Sequence, residues 1–464
     1  MRKSAIWAIG ALAVASTLMT GPALALGAAA PACSLPVGDM QRAQGLRQAN
    51  GLDQTEAHVS ALHCGASVKS DFSPIEMSPD EASEMTRRQN LVSTLGKVNK
   101  ILDDAAPSRY VGSWLDSPGG GSLVLDYVSA DAGDEARVAA LLPPGTPFRL
   151  GTGLVSLHRQ DALRAALVRS FNQLDAAGAL ILSQTTDDKT GLTTLLLDEA
   201  APASAEAKIT QLVGADGLVV KRVNKATSKS GPEDLRTDPQ PRQYGGAYAS
   251  NVTTSTTCTA SPTATSAASY YTIIAGHCGH PNDAWVMGYP GSRTLGTGAG
   301  NTLYPVPSSG VTDCDCQGIR VPSTLASSYT LVNGNATYPF SSQAGEGGNT
   351  VGQAVCVSGA SEYAQYGSDK CGNVQGTHGG YSVTPLGQSV HVYDLIYVVF
   401  PSSECDTPSC TTQGDSGGTW GAGHEYQGPH AGKVTASNGL VFPAFSRAQR
   451  LYNNLQIAVH DLGH

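Results

Sequence analysis

The run Gly414-Asp415-Ser416-Gly417-Gly418 is the most chemically suggestive stretch of the chain. A serine hydroxyl is a weak nucleophile. It needs a base beside it, a turn that exposes it and donors for the oxyanion that develops on attack. Glycines around the serine permit the turn and leave backbone N–H groups bare. Upstream, Ala275-Gly276-His277-Cys278 ends an apolar run at residues 270–275. A strand that ends in a histidine fixes the imidazole on rigid scaffold, where it can act as the base. Asp315, in Asp313-Cys314-Asp315-Cys316-Gln317-Gly318-Ile319-Arg320, stands where an acid can orient that imidazole and stabilise its protonated form. Asp313 competes for the role. Taken singly, each motif reads as an ordinary turn or loop; together they spell acyl transfer through Ser416, His277 and Asp315. Cys314 and Cys316 near a histidine also fit a metal site, but in an exported chain disulfides are expected, so neither metal nor cofactor is.

These groups need a scaffold. From residue 243 to 464 charged residues become scarce and Thr, Ser, Gly and Tyr fill the sequence. Short β-type runs recur between turn clusters, at 270–275, 284–289, 318–321, 350–357, 391–400 and 432–436, the pattern of an antiparallel barrel or sandwich. A closing helix is predicted from Leu451, Leu455 and Val459, spaced by four. Residues 26–223 differ in texture. Ser78-Pro79-Asp80-Glu81 reads as a helix start, and Leu163, Leu167, Phe171 and Leu174 mark an amphipathic helix stopped near Gly178. Two strand-helix-strand units are predicted, one around a helix at 134–142 and one around a helix at 204–213. That makes this stretch an α+β module. Between the halves, residues 224–242 are rich in Pro, Asp, Lys and Ser and read as an exposed linker with a processing site.

Composition narrows the function classes. The chain has 464 residues, 14% of them charged, with a net charge of −9. A mildly acidic chain without a basic block is a poor nucleic-acid binder. Arg2 and Lys3, an apolar stretch to Met19 and Ala23-Leu24-Ala25 read as a secretory signal peptide over residues 1–25, and nothing later reads as a membrane span. Ten cysteines, an even number, fit an oxidising destination, so a secreted, extracellular protein is expected.

The second half, over about residues 243–460, resembles the secreted bacterial chymotrypsin-fold serine proteases of the streptogrisin and α-lytic protease group. The order His277, Asp315, Ser416 is that of this fold, and Arg320 stands five residues after Asp315 as the family's arginine does after its acid. Val351-Gly352-Gln353-Ala354-Val355-Cys356-Val357-Ser358-Gly359 resembles the family's mid-chain strand. The resemblance implies an all-β double antiparallel barrel with the site between the barrels. It implies a Ser416, His277 and Asp315 triad, an oxyanion hole of the Gly414 and Ser416 amides, and substrate laid along Thr435-Ala436-Ser437. It also implies the disulfides Cys258–Cys278 and Cys356–Cys371. Local pairing of Cys405 with Cys410 and of Cys314 with Cys316 is expected, and Cys33–Cys64 would close the first half. The first half resembles the large pro-regions of the α-lytic group in size, placement and texture, which implies a folding catalyst and inhibitor that is later removed.

The chain also departs from the family. Cys410 stands at the base of the specificity pocket, where trypsin-like relatives carry an acid, so cleavage after basic residues is not expected. Ala436 and Ser437 replace glycines on the pocket wall. The family's arginine partner for Asp415 is replaced by Val357, which leaves Arg320, Lys433 or a new N-terminus as candidates. The expected function is a secreted serine endopeptidase acting on polypeptides. It is made as a precursor with its own pro-region as partner, monomeric, and free of nucleic acid and membrane once the signal is gone. The alternatives are a catalytically silent binding protein on the same fold and an esterase using the same triad.

Overall fold

The computed structural model describes residues 33–65, 67–69, 75–223, 242–288, 293–332, 336–405, 409–436 and 438–462. The expected signal peptide, all of the expected linker but Arg242, and Ser437 lie outside the described residues. The described chain is strand-rich, with eight α-helices among those residues, none long and apolar enough to cross a membrane.

In the first half, the helix Pro79–Ala105 starts as its sequence dictates. The Ser78 side chain accepts from the Glu81 N–H while the Glu81 carboxylate takes the Ser78 N–H, and Pro79 occupies the first helical position. Its buried stripe of Leu91, Leu95, Val98 and Leu102 packs with the strands Tyr110–Asp116 and Ser122–Tyr127. Ser122–Tyr127, the helix Asp134–Leu141 and the strand Phe148–Thr152 form one strand-helix-strand unit with its two strands parallel. Thr193–Asp198, the helix Ser204–Val213 and the strand Leu218–Val223 form the second. The helix Leu157–Ala176 buries Leu163, Leu167, Phe171 and Leu174 against Ala205 and Ile209. Each such side chain contributes roughly 1.5–3 kcal/mol by leaving water.

The second half holds two antiparallel systems. Seven strands pair in the order Thr257–Thr259, Tyr248–Asn251, Ala284–Met287, Arg293–Asn301, Gln317–Val321, Ser269–Ile274 and Thr263–Ser266. Six more close on themselves. Ala354–Ser358 pairs with Lys370–Val383, which pairs with Val390–Val399, then Val441–Phe445, Glu425–Thr435, Thr419–Ala422 and Ala354–Ser358 again. The apolar core associated with this circuit includes Val355, Val357, Ile396, Val398, Phe400, Trp420 and Phe445, with Trp420 stacked on Phe445 at 5.0 Å between ring centres.

Two features depart from the sequence expectations. The last helix spans Ala448–Leu455 and excludes Val459. Gln456 turns left-handed (φ 57°), and the following chain runs extended, with Ala458 bridged to Thr265. The two halves also share a sheet. The strand Ile181–Thr186 pairs antiparallel with Lys370–Val383, setting Ser183 opposite Tyr381, Gln184 opposite Gly380 and Thr185 opposite Gly379.

Candidate active site

The strand Ser269–Ile274 runs into a single tight turn, Gly276–Cys278, which presents His277. A side chain at Gly276 would put its Cβ 2.9 Å from Asp315 Oδ1, so glycine keeps the aspartate close. Asp315 lies just before the strand Gln317–Val321, and its backbone N–H donates to Ser446 Oγ at 3.0 Å. Ser416 stands in the turn before Thr419–Ala422. Next to it Gly417 takes φ 88°, and a Cβ there would meet Thr259 O at 2.3 Å. The turn is tied down on both sides: Gly417 N–H donates to His430 O at 2.7 Å and Thr259 N–H to Ser416 O at 2.9 Å.

The three side chains form one hydrogen-bonded line. Asp315 Oδ1 accepts the His277 backbone N–H at 2.9 Å, and Asp315 Oδ2 lies 2.5 Å from His277 Nδ1. His277 Nε2 lies 2.9 Å from Ser416 Oγ. An ionised carboxylate only accepts, so Nδ1 carries the proton in the neutral ring and Nε2 is left to accept from the serine. The Asp315 side chain is fully buried, while 34% of the His277 side chain meets solvent. Burial alone would raise the Asp315 carboxyl. The His277 charge and hydrogen bond, the Tyr381 hydroxyl and the His277 backbone N–H outweigh it and hold the carboxyl below its ordinary value. Burial likewise pulls His277 down, but the Asp315 charge and hydrogen bond win and raise it. Among the described residues, the N–H groups of Gly414 and Ser416, two residues before the nucleophile and on the nucleophile itself, have no hydrogen-bond partner.

Asp313 is not in this line; it pairs with Arg450 at 3.4 Å and accepts from Asn454. Arg320 donates to Ser269, and Val357 is buried in the apolar core. Asp415 is buried with no ion pair among the described residues. Its oxygens accept the Glu362 N–H (2.8 Å) and the Thr412 N–H (2.7 Å), the former in the first turn of the helix Ala360–Tyr366. Burial pushes its pKa to about 6, against those N–H groups and the nearby Lys433.

Cys410 is bonded to Cys405 and belongs to the core that contains Trp420. The other disulfides are Cys33–Cys64, Cys258–Cys278, Cys314–Cys316 and Cys356–Cys371. The backbone that touches the serine turn is that of His430 on the strand Glu425–Thr435, which also carries Thr435, expected to line substrate. The Thr435 N–H is taken by Ser183 Oγ at 3.1 Å, and Ala436 sits in a turn closed by Leu440. Sequence reasoning missed Tyr381, whose hydroxyl lies 2.5 Å from Asp315 Oδ2. A tyrosine between glycine-rich and polar residues carries no motif that would have marked it.

No family model and no curated protein matches the chain. Among solved structures, it is similar to Thermobifida fusca protease A (19% identity, TM-score 0.35), covering 47% of this chain and 98% of the other. A glutamic acid specific serine protease described as using a histidine triad in substrate binding is similar at 21% identity and TM-score 0.35, covering 47% and 100%. An α-lytic protease homologue, N4, is similar at 19% identity and TM-score 0.34, covering 47% and 98%.

Proposed function

We propose that this chain is the precursor of a secreted serine endopeptidase with a chymotrypsin-like double barrel. In this reading the seven-stranded sheet supplies His277 and Asp315, and the six-stranded circuit supplies Ser416. The observation that carries it is the unbroken line from Asp315 through His277 to Ser416; the amides of Gly414 and Ser416, unpartnered among the described residues, are the oxyanion donors in this reading. Ser416 Oγ attacks a peptide carbonyl and its proton passes to His277 Nε2. The imidazolium returns that proton to the leaving amine, and water then releases the acyl group by the same route reversed. Asp315 keeps the Nδ1 proton in place. The two amides hold the oxyanion, and such a donor is worth on the order of 10²–10³ in rate. Polypeptide substrate lies extended along the strand Glu425–Thr435, pairing backbone to backbone.

In the same reading residues 26–223 are a pro-region that assists folding and inhibits until removed. Two contacts support it: the first half adds a strand to the sheet that carries Tyr381, and Ser183 takes a backbone N–H on the substrate strand. A fluorophosphonate probe tests the chemistry. It should label the secreted protein at Ser416, and Ser416→Ala should abolish both labelling and peptide hydrolysis; a protein that never labels ends the reading. Esters cleaved while peptides are left intact would point to an esterase instead. N-terminal sequencing of active material should place a cut within residues 236–246; an uncut active chain contradicts a removable pro-region.

A further inference from the structure

Asp315 receives a donor that the three-residue line does not account for. The strand Glu425–Thr435 passes beside it at Ala431, a residue with no polar group on its side chain. The Tyr381 hydroxyl reaches the gap from the strand Lys370–Val383, lying 2.5 Å from Asp315 Oδ2 and 2.9 Å from the Ala431 carbonyl oxygen. A hydroxyl has one proton and donates to one acceptor at a time; the charged carboxylate is the nearer and the stronger acceptor. Oδ2 thus faces two donors, His277 Nδ1 and Tyr381, while Oδ1 takes the His277 backbone N–H. Burial first, and then the Asp315 charge, push the Tyr381 phenol well above its ordinary value, so it stays a donor wherever the site works. The phenol is fixed in turn: its ring would be 3.5 Å from a Cβ at Gly432, and its backbone pairs with Val392 and, in the precursor, with Ser183.

We propose that Tyr381 is a positioning residue for the reaction, its hydroxyl fixing the Asp315 carboxylate and spreading the charge that His277 feels. This rests on the serine-peptidase reading. Without the hydroxyl the carboxylate is freer to rotate, so the imidazole spends less time aligned with Ser416. Its charge is also less shared, so it holds the proton on His277 more tightly.

The test compares the unsubstituted secreted protein with Tyr381→Phe. The variant should still label with fluorophosphonate, lose about tenfold in kcat with KM within about twofold, and show the acid limb of kcat/KM moved to higher pH. Tyr397→Phe removes another hydroxyl from the same sheet, one that in the precursor donates to Thr186 O of the first half, and should leave kcat and the pH limb where they were. An unchanged kcat and pH limb in Tyr381→Phe, or equal losses in both variants, overturns the proposal. The unsubstituted protein offers a second readout should Tyr381→Phe fail to fold. A slowly exchanging tyrosine hydroxyl proton with a nuclear Overhauser contact to the His277 ring is expected, and its absence overturns the proposal. Failure of the unsubstituted protein to label or to cleave peptides would instead sink the peptidase reading and leave the proton contact to be judged by itself.

Discussion

At the level of single residues, burial and exposure are divided between Asp315 and His277 as proton traffic requires. A buried charge is tolerated because its oxygens are paired, and the partly open imidazole can exchange protons with water. His277 must be neutral to accept from Ser416, and Asp315 raises its pKa against the effect of burial. The kcat/KM of the proposed peptidase should therefore fall as pH drops through a value above about 6.5, the ordinary histidine value. A limb at or below that value would contradict the pairing. Asp315→Asn keeps the shape, removes the charge and offers an amide to Nδ1. A loss of kcat on the order of 10⁴ with an unchanged circular dichroism spectrum is expected, and a loss of a few-fold would deny Asp315 its role. The Lys433 side chain, just beyond Ala431 on the strand that passes Ser416, makes no hydrogen bond or ion pair among the described residues, while its backbone lies in the ladder opposite Pro443. Its charge bears on Asp415 and His430. If substrate lies along this strand as proposed, that cation would repel a basic side chain at the cleavage position. Lys433→Ala should raise relative kcat/KM for basic over neutral peptides by on the order of tenfold; an unchanged ratio would place the lysine away from substrate.

Among the elements, local signals were legible and distant ones were not. The helix start at Ser78 to Glu81 was plain because both halves of its hydrogen-bond exchange lie within four consecutive residues. Ser78→Ala should cost about 1 kcal/mol, seen as a lowered midpoint in thermal unfolding of the full chain. An unchanged midpoint would mean that packing, not the cap, holds that end. The two strand-helix-strand units were readable from period alone. Val459 misled because spacing by four records burial as well as helix. It is buried, but from an extended segment paired with Thr265 rather than from a fourth helical turn. The motifs around Ser416 and His277 announced the candidate site, whereas the part of the strand that passes Ser416 carried no signal. His430 and Ala431 carry no glycine or charge signature, and only the pairing register brings them to the serine turn. Tyr381 and the sheet shared between the halves were invisible for the same reason: His378-Gly379-Gly380 breaks the alternation that marks a strand, and its partner lies far away in the chain.

For the whole molecule, the contact between the halves is built from groups that dislike acid. His391 is stacked on Phe171 at 5.3 Å, faces Gln184 Oε1, and is pushed by burial to about 4. Asp188 accepts from Thr377 and His378. Burial favours its protonation, but those partners prevail and hold it below the usual range. Burial and Arg164 also hold His378 down. A histidine kept neutral in the joined state, and an aspartate kept charged there, each add stability at neutral pH that is lost as pH falls. Glu404, raised by burial beside Arg42 and Lys370, and Glu425, raised by burial where it accepts from Gln89, work the other way. Asp188 acts only below about 4, so the window above it is set by the two histidines: if they outweigh the two glutamates, a cleaved first half should leave faster as pH falls from about 6.5 towards about 4, read by size exclusion of the nicked protein; release independent of pH would count against these contacts. Departure has a further cost. The main chain at Gly379, Gly380 and Tyr381 would lose its neighbour and stand as a raw hem of the sheet, open to water or to another molecule's strand. The hem is short and two of its three residues are glycine, which makes it a poor seam for self-stitching. Yet it carries the phenol bonded to Asp315, so whatever frays that border reaches, through His277, to Ser416.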